Sequence, residues 1–118
     1  MRLMRGYLNN LGGVFVVALA AAMTPVGAHA ANVTSARVWA DASHTRLVFD
    51  LDGKPNYRID RRDDRVVVDL ARSRIADDYA DPGAHGLFRG MSHSQQGGSL
   101  QLTANVAAGS KVRSFVLA

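Results

Sequence analysis

The chain lacks cysteine and glutamate altogether. Its 118 residues include no Cys, and all ten acidic residues are Asp. Without cysteine no disulfide can hold the fold together and no thiol can act as a nucleophile. Without glutamate, a metal-bound water has no Glu beside it to take its proton. The core must therefore hold by packing alone, and several kinds of hydrolytic site are excluded.

Long apolar runs are also missing. The strongest, residues 14–23, is about half of the roughly 20 residues that a membrane-spanning helix needs. Arg2 and Arg5 precede it, and Ala28-His29-Ala30 follows as a small-x-small cleavage site. We predict that residues 1–30 are a cleaved signal peptide for general secretion, with an uncleaved membrane anchor as the alternative. The mature domain would span residues 31–118.

The charge is nearly balanced once the signal peptide is set aside. The whole chain has a formal net charge of +4, and residues 31–118 carry 12 basic and 10 acidic side chains. A nucleic-acid binder needs a concentrated basic surface, so we expect no nucleic-acid partner. Ten of these 12 basic residues are Arg, which favours planar, bidentate recognition of acidic groups.

Apolar residues alternate with polar ones along most of the mature chain, which is typical of β-strands. Segments 45–51, 56–61 and 65–70 are predicted to form an antiparallel meander, and 71–85 a loop. Further strands are predicted at 33–39, 87–92, 99–106 and 111–118. The predicted core contains Leu47, Phe49, Val66, Val68, Leu100 and Leu102.

The second half of the chain resembles the first at an offset of 53 residues. The offset places Leu47 on Leu100 and Phe49 on Leu102, and it brings Arg37 within one residue of Arg89. This order predicts a duplicated sheet unit. The partner of segment 65–70 would lie beyond Ala118, so we expect the domain to lack its last strand.

No catalytic motif is visible. The residues His44, His85 and His93 do not share metal-ligand spacing, and no serine lies in a Gly-x-Ser-x-Gly turn. The adjacent aspartates fall in predicted turns, where Asp bonds to its own backbone. We expect no catalytic residue, no metal ligand and no cofactor in this chain.

Three segments form a distinctive set: Arg37-Val-Trp39, Thr-Arg-Leu-Val-Phe-Asp-Leu at 45–51 and Arg-Val-Val-Val-Asp-Leu at 65–70. Together they resemble the AMIN domain of periplasmic N-acetylmuramoyl-L-alanine amidases, which also occurs in type IV pilus secretins. The resemblance implies a small all-β sandwich of two similar antiparallel sheets. It also implies a non-catalytic module that directs an amidase to septal peptidoglycan during daughter-cell separation. Zinc would belong only to an amidase domain that is absent here.

The resemblance suggests peptidoglycan as the ligand, because stem peptides carry free carboxylates that guanidinium groups bind in bidentate fashion. The candidate binding residues are Arg37, Trp39, Arg46 and Arg89. The three arginines would occupy equivalent strand positions and form two similar patches. Trp39, expected on the face opposite Arg37, would stack on a sugar ring if it lies at a sheet edge. Alternatively, the arginines pair with Asp50 and Asp69 across strands, and Trp39 belongs to the core.

The second half departs from the family pattern, because 99–104 lacks the expected arginine and aspartate. Two other functions stay open: a wall-anchoring domain of a secretin, and a stand-alone envelope protein without wall affinity. The amidase module and the secretin domain would both lie in the periplasm, and the amidase module would be enriched at the septum. Divisome or secretin-ring proteins would be further partners. No stable membrane span is expected after cleavage.

Overall fold

The computed structural model describes residues 13–21 and 31–117, and these residues form strands and turns. None of them lies in a helix that could cross a membrane. In chain order the strands are β1 (Val14–Ala21), β2 (Ala31–Ala40), β3 (His44–Leu51), β4 (Tyr57–Arg61), β5 (Arg65–Leu70), β6 (Ser73–Ile75), β7 (Phe88–Gln96), β8 (Ser99–Val106) and β9 (Lys111–Leu117).

The strands form two sheets that pack into a sandwich. The five-stranded sheet has the order β9-β1-β3-β2-β6, and the four-stranded sheet has the order β4-β5-β8-β7. Apolar side chains at alternate strand positions fill the space between the sheets. The predicted all-β sandwich is confirmed. So are all six predicted core residues, each at most 1% exposed: Leu47, Phe49, Val66, Val68, Leu100 and Leu102.

The two sheets differ in strand direction. Every pairing in the four-stranded sheet is antiparallel, as expected. In the five-stranded sheet, β1 runs parallel to both β9 and β3, and β6 runs parallel to β2. This sheet is therefore mixed, because β1 and β6 run parallel to the strands with which they pair.

The apolar segment expected to belong to a signal peptide forms strand β1. Its inward-facing side chains Phe15, Val17 and Leu19 are at most 1% exposed. A short apolar run that contains valines and phenylalanine suits a buried strand as well as a signal peptide, and its periodicity alone does not separate the two. The predicted cleavage site after Ala30 lies outside the described residues.

The predicted meander of three consecutive strands is wrong. β3 and β4 lie in different sheets, and the connection 52–56 crosses between them. Both edges of β3 are already taken, one by β1 and the other by β2, so β4 has no edge of β3 to pair with. The predicted loop 71–85 also contains the short strand β6, which pairs with Ala31–Val33 at the start of β2.

The strand order bears out the predicted duplication. The hairpin β2–β3 corresponds to β7–β8, β9 corresponds to β4, and β1 takes the position that β5 occupies in the other sheet. The cross-strand pairs match at the 53-residue offset: Val17–Leu47 and Leu19–Phe49 in one sheet, Leu70–Leu100 and Val68–Leu102 in the other. β5, however, is antiparallel to both neighbours, whereas β1 is parallel to both.

Substitution of Gly86, in the turn before β7, is expected to destabilise the fold strongly. Gly86 has φ +59°, and a Cβ there would lie 2.6 Å from the Ala40 Cβ and even closer to the Thr45 hydroxyl, which accepts the Leu87 N–H. We expect Gly86→Ala to lower the free energy of unfolding by about 2–4 kcal/mol, from left-handed strain plus overlap. Urea denaturation measures this loss.

Gly97 provides the matched control, because its φ is +60° and a Cβ there would meet nothing within 4 Å. Gly97→Ala should cost only the backbone strain, about 1–2 kcal/mol. Equal losses for the two variants would show that the space beside Thr45 and Ala40 is not tight.

Candidate functional site

A β-bulge turns Arg37 and Trp39 outward. Val33 is fully buried, and uninterrupted alternation from it would bury every second residue, including Arg37 and Trp39. The register of β2 against β3 shifts between Val33 and Ser35, so that Ala36 and Val38 pack on the core instead. Residues on the two sides of a bulge change face. Arg37 and Trp39 therefore share the outer face, and the expectation that they lie on opposite faces is wrong, since residues two apart on a strand point the same way.

Arg37 is held by a carboxylate on the neighbouring strand. Its Nε donates to Oδ2 of Asp50 and its Nη2 to Oδ1, both at 2.8 Å, and the Ser35 hydroxyl donates to Oδ2 at 2.6 Å. The cross-strand salt bridge with Asp50 is thus confirmed. The Arg37 guanidinium carbon also lies 5.1 Å from the centre of the Trp39 ring, within cation–π range. Arg37, itself bound by Asp50, therefore contacts the indole face.

Trp39 lies at a sheet edge and is accessible. The strand β6 pairs with β2 only as far as Val33, so no described strand flanks Trp39 on that side. The side chain is 49% exposed, which rules out the alternative that it is a core residue. A flat aromatic face at an edge can receive the apolar face of a ligand.

Arg46 lies directly across from Trp39 on β3 and is exposed. Among the described residues it forms no ion pair, in contrast to Arg37. A shallow pocket of about 430 Å³ separates these side chains from the turn that follows β2. Its lining consists of Val16, Trp39, Ala40, Asp41, His44 and Arg46. The Arg46 guanidinium and the Trp39 indole therefore border the same pocket.

The rim of the pocket is shaped by Asp41. Its Oδ1 accepts the backbone N–H of Ser43 at 2.9 Å and that of His44 at 2.8 Å. These two hydrogen bonds stabilise the ionised carboxylate and lower the pKa of Asp41 below the ordinary 3.8, with a smaller contribution from the charge of His44. The turn between β2 and β3 is thus fixed by an aspartate that closes one end of the pocket.

The Asp41 turn has a defined acid sensitivity. Because the folded-state pKa is lowered, ionised Asp41 stabilises the fold at every pH above its ordinary value of 3.8. That contribution falls away as the pH drops through the folded-state pKa. We expect the Asp41 side-chain carboxyl to titrate below 3.8 by ¹³C NMR, and Asp41→Asn to remove this part of the acid dependence of stability. A midpoint at or above 3.8 would contradict the turn geometry.

Arg89 does not join this surface. It lies on β7 in the four-stranded sheet, beside the register shift between Phe88 and Gly90. Arg37 lies opposite Val48, whereas the duplicate of Val48, Gln101, lies opposite Ser94, five positions from Arg89. The predicted equivalence of Arg37 and Arg89 is wrong, because the two hairpins have turns of different length. The structure brings together three of the four candidate residues, in one patch rather than two.

The remaining titratable side chains do not gather into a metal-binding group within 13–21 and 31–117. His44, His85 and His93 are all exposed; His44 begins β3 and His93 lies on β7. The His93 ring meets the Tyr79 ring edge-on at 6.3 Å. The sequence offered no motif for Ser35, Asp41 or Val16 as site residues. Asp50, in contrast, was foreseen as a cross-strand partner of the arginines, and it binds Arg37.

No family model, no curated protein and no solved structure matches the chain. The surface formed by Trp39, Arg46 and the Asp50-bound Arg37, called the indole–arginine patch below, therefore carries the functional argument together with the sequence motifs.

Proposed function

We propose that the chain is a non-catalytic module that binds peptidoglycan and holds an N-acetylmuramoyl-L-alanine amidase at the septal cell wall of the periplasm. The motifs at 37–39, 45–51 and 65–70 support this proposal by their resemblance to the AMIN domain. The observation that carries it is the indole–arginine patch: an indole 49% exposed at a sheet edge, across from an arginine without an ion pair among the described residues.

The two side chains suit the two chemical parts of peptidoglycan. The C–H faces of glycan sugars pack on a flat aromatic ring, and Trp39 offers one. The carboxylates of the stem peptide accept paired N–H donors, and Arg46 offers them. Asp50 binds Arg37, and the contact of Arg37 with the indole favours one orientation of the ring, which lowers the entropy lost on binding.

The same surface would serve a secretin that is anchored to the wall, because anchoring also requires affinity for peptidoglycan. The two functions differ in the protein to which the module is joined and in its partners, divisome or secretin-ring proteins. Neither requires a catalytic residue or a cofactor in this chain; zinc would act in a separate amidase domain.

Co-sedimentation of the full chain with purified sacculi tests the proposal. The wild-type chain is expected to pellet with sacculi at moderate salt. Arg46→Ala should weaken binding about tenfold or more, because a hydrogen bond to a charged group contributes about 1.5–3 kcal/mol. The control is Arg65→Ala, which removes one charge from an exposed arginine on β5, in the other sheet and away from the indole–arginine patch.

Arg65→Ala should pellet like the wild type. Absence of sedimentation of the folded wild-type chain would overturn wall binding in both forms of the proposal. Equal weakening by both variants would show that binding follows net charge rather than this patch.

A further inference from the structure

Strand β1 fills a slot in the middle of the five-stranded sheet. Its backbone pairs with β9 along 14–20 on one side and with β3 along 14–21 on the other. Adjacent strands lie about 4.8 Å apart, so without β1 the strands β3 and β9 would face each other across about 10 Å. Each would then present a row of backbone donors and acceptors without partners.

The other sheet shows which strand suits such a slot. The equivalent position there is taken by Arg65–Leu70, which points Val66, Val68 and Leu70 into the core. That strand runs antiparallel to both neighbours, a pairing slightly more stable per residue than the parallel one of β1. β1 runs in the opposite direction and also places bulky apolar side chains, Phe15, Val17 and Leu19, at its core-facing positions. The slot thus selects alternate apolar side chains and tolerates either direction.

The sequence of β1 also has the features of a signal peptide, which is removed from an exported chain. A chain cleaved after Ala30 would keep the neighbours of the slot and lose the strand between them. Its inner wall would still carry Leu47 and Phe49, both fully buried when β1 is present.

We propose that this slot is a strand-acceptor site, which binds in trans an extended apolar strand of another polypeptide in place of Val14–Ala21. The occupant has six or more residues with bulky apolar side chains at alternate, core-facing positions. It runs antiparallel to β3 and β9, as Arg65–Leu70 does in the duplicate sheet. Backbone hydrogen bonds on both sides give affinity, and the core-facing positions give selectivity.

The occupant also lines the pocket beside the indole–arginine patch. Val16 of β1 lies next to Arg46 in register and lines the pocket beside Trp39. Any strand that replaces β1 would supply its own side chain at this position. The acceptor site and the pocket are therefore coupled through one outward-facing residue of the inserted strand.

The test uses the full chain and labelled peptides. Leu19→Asp places a carboxylate in the core and should expel β1, whereas Val16→Asp changes an outward position and should not. The probe has the sequence of residues 64–71, Asp-Arg-Val-Val-Val-Asp-Leu-Ala. A control peptide, the regrouped peptide, has the same composition but a reordered sequence in which all the apolar residues are contiguous. Fluorescence anisotropy should show probe binding to Leu19→Asp at least about tenfold tighter than to the wild type or Val16→Asp, because only there is the slot open.

A second measurement covers the case in which Leu19→Asp does not fold alone. A protease site placed within residues 22–30 of the wild-type chain allows the folded protein to be nicked, and the probe should then release the N-terminal fragment from the gel-filtration peak. Release by the probe but not by the regrouped peptide supports the acceptor site. The proposal is overturned if the probe neither binds Leu19→Asp nor releases the fragment, or if both peptides act equally.

Discussion

With no strand inserted in place of β1, a chain that begins at Ala31 is expected to be largely unfolded under conditions where the full chain is folded. It lacks the buried side chains Phe15, Val17 and Leu19. Burial of each contributes roughly 1.5–3 kcal/mol, so the loss is about 5–9 kcal/mol, against a total of about 5–15 kcal/mol for a domain. Urea denaturation followed by far-ultraviolet circular dichroism measures the difference.

A chain that begins at Gly13 is the control, because it keeps β1 and the hydrogen bond from the Val14 N–H to the Ser43 carbonyl. It should unfold at a clearly higher urea concentration than the chain that begins at Ala31. If the chains that begin at Gly13 and Ala31 unfold together, β1 contributes nothing to the fold and the acceptor slot loses its physical basis.

Trp39→Ala is expected to weaken binding to sacculi about thirtyfold. Truncating a central aromatic residue of a binding surface costs about 2 kcal/mol or more, and the change also removes the stacking partner of Arg37. Trp39→Phe keeps a flat ring and should lose much less. The dissociation constants come from sedimentation over a range of sacculus concentrations.

Tyr57 offers an unusually close control, since it is also 49% exposed but lies on β4 of the other sheet. Tyr57→Ala should bind sacculi as the wild type does. Similar losses for Trp39→Ala and Tyr57→Ala would mean that exposed aromatic residues adhere to the wall without a defined site.

Strands in which polar and apolar residues alternate without interruption were predictable from the sequence. The strands around Leu47, Val68 and Leu102 and their core-facing residues were all predicted, because one polar and one apolar face leave a single way to place the strand. The duplication was also visible, because matching strands repeat their apolar positions at a fixed offset. Both features depend on local pattern alone.

The assignment of strands to sheets was not predictable in the same way. The segment Val14–Ala21 has the composition of both a signal peptide and a buried strand, and only its place between β3 and β9 distinguishes them. The predicted meander is wrong for the same reason. β4 pairs in the other sheet because β1 occupies the edge of β3 that β2 leaves open.

Which candidate residues lie together on the surface depends on irregularities that the sequence does not mark. The bulge between Val33 and Ser35 decides that Arg37 and Trp39 face outward. The different turn lengths of the two hairpins separate Arg89 from the position of Arg37. That Arg37 and Trp39 share a face, in contrast, was predictable from their spacing of two residues.

The central claim is that peptidoglycan binds to the indole–arginine patch. The most direct measurement is a titration of the isotope-labelled full chain with soluble muropeptides, followed by NMR at the Trp39 indole N–H and the Arg46 side chain. We expect concentration-dependent shifts at these two groups and none at Arg65 or Tyr57. Shifts confined to the four-stranded sheet, or none anywhere at saturating muropeptide, would contradict the claim.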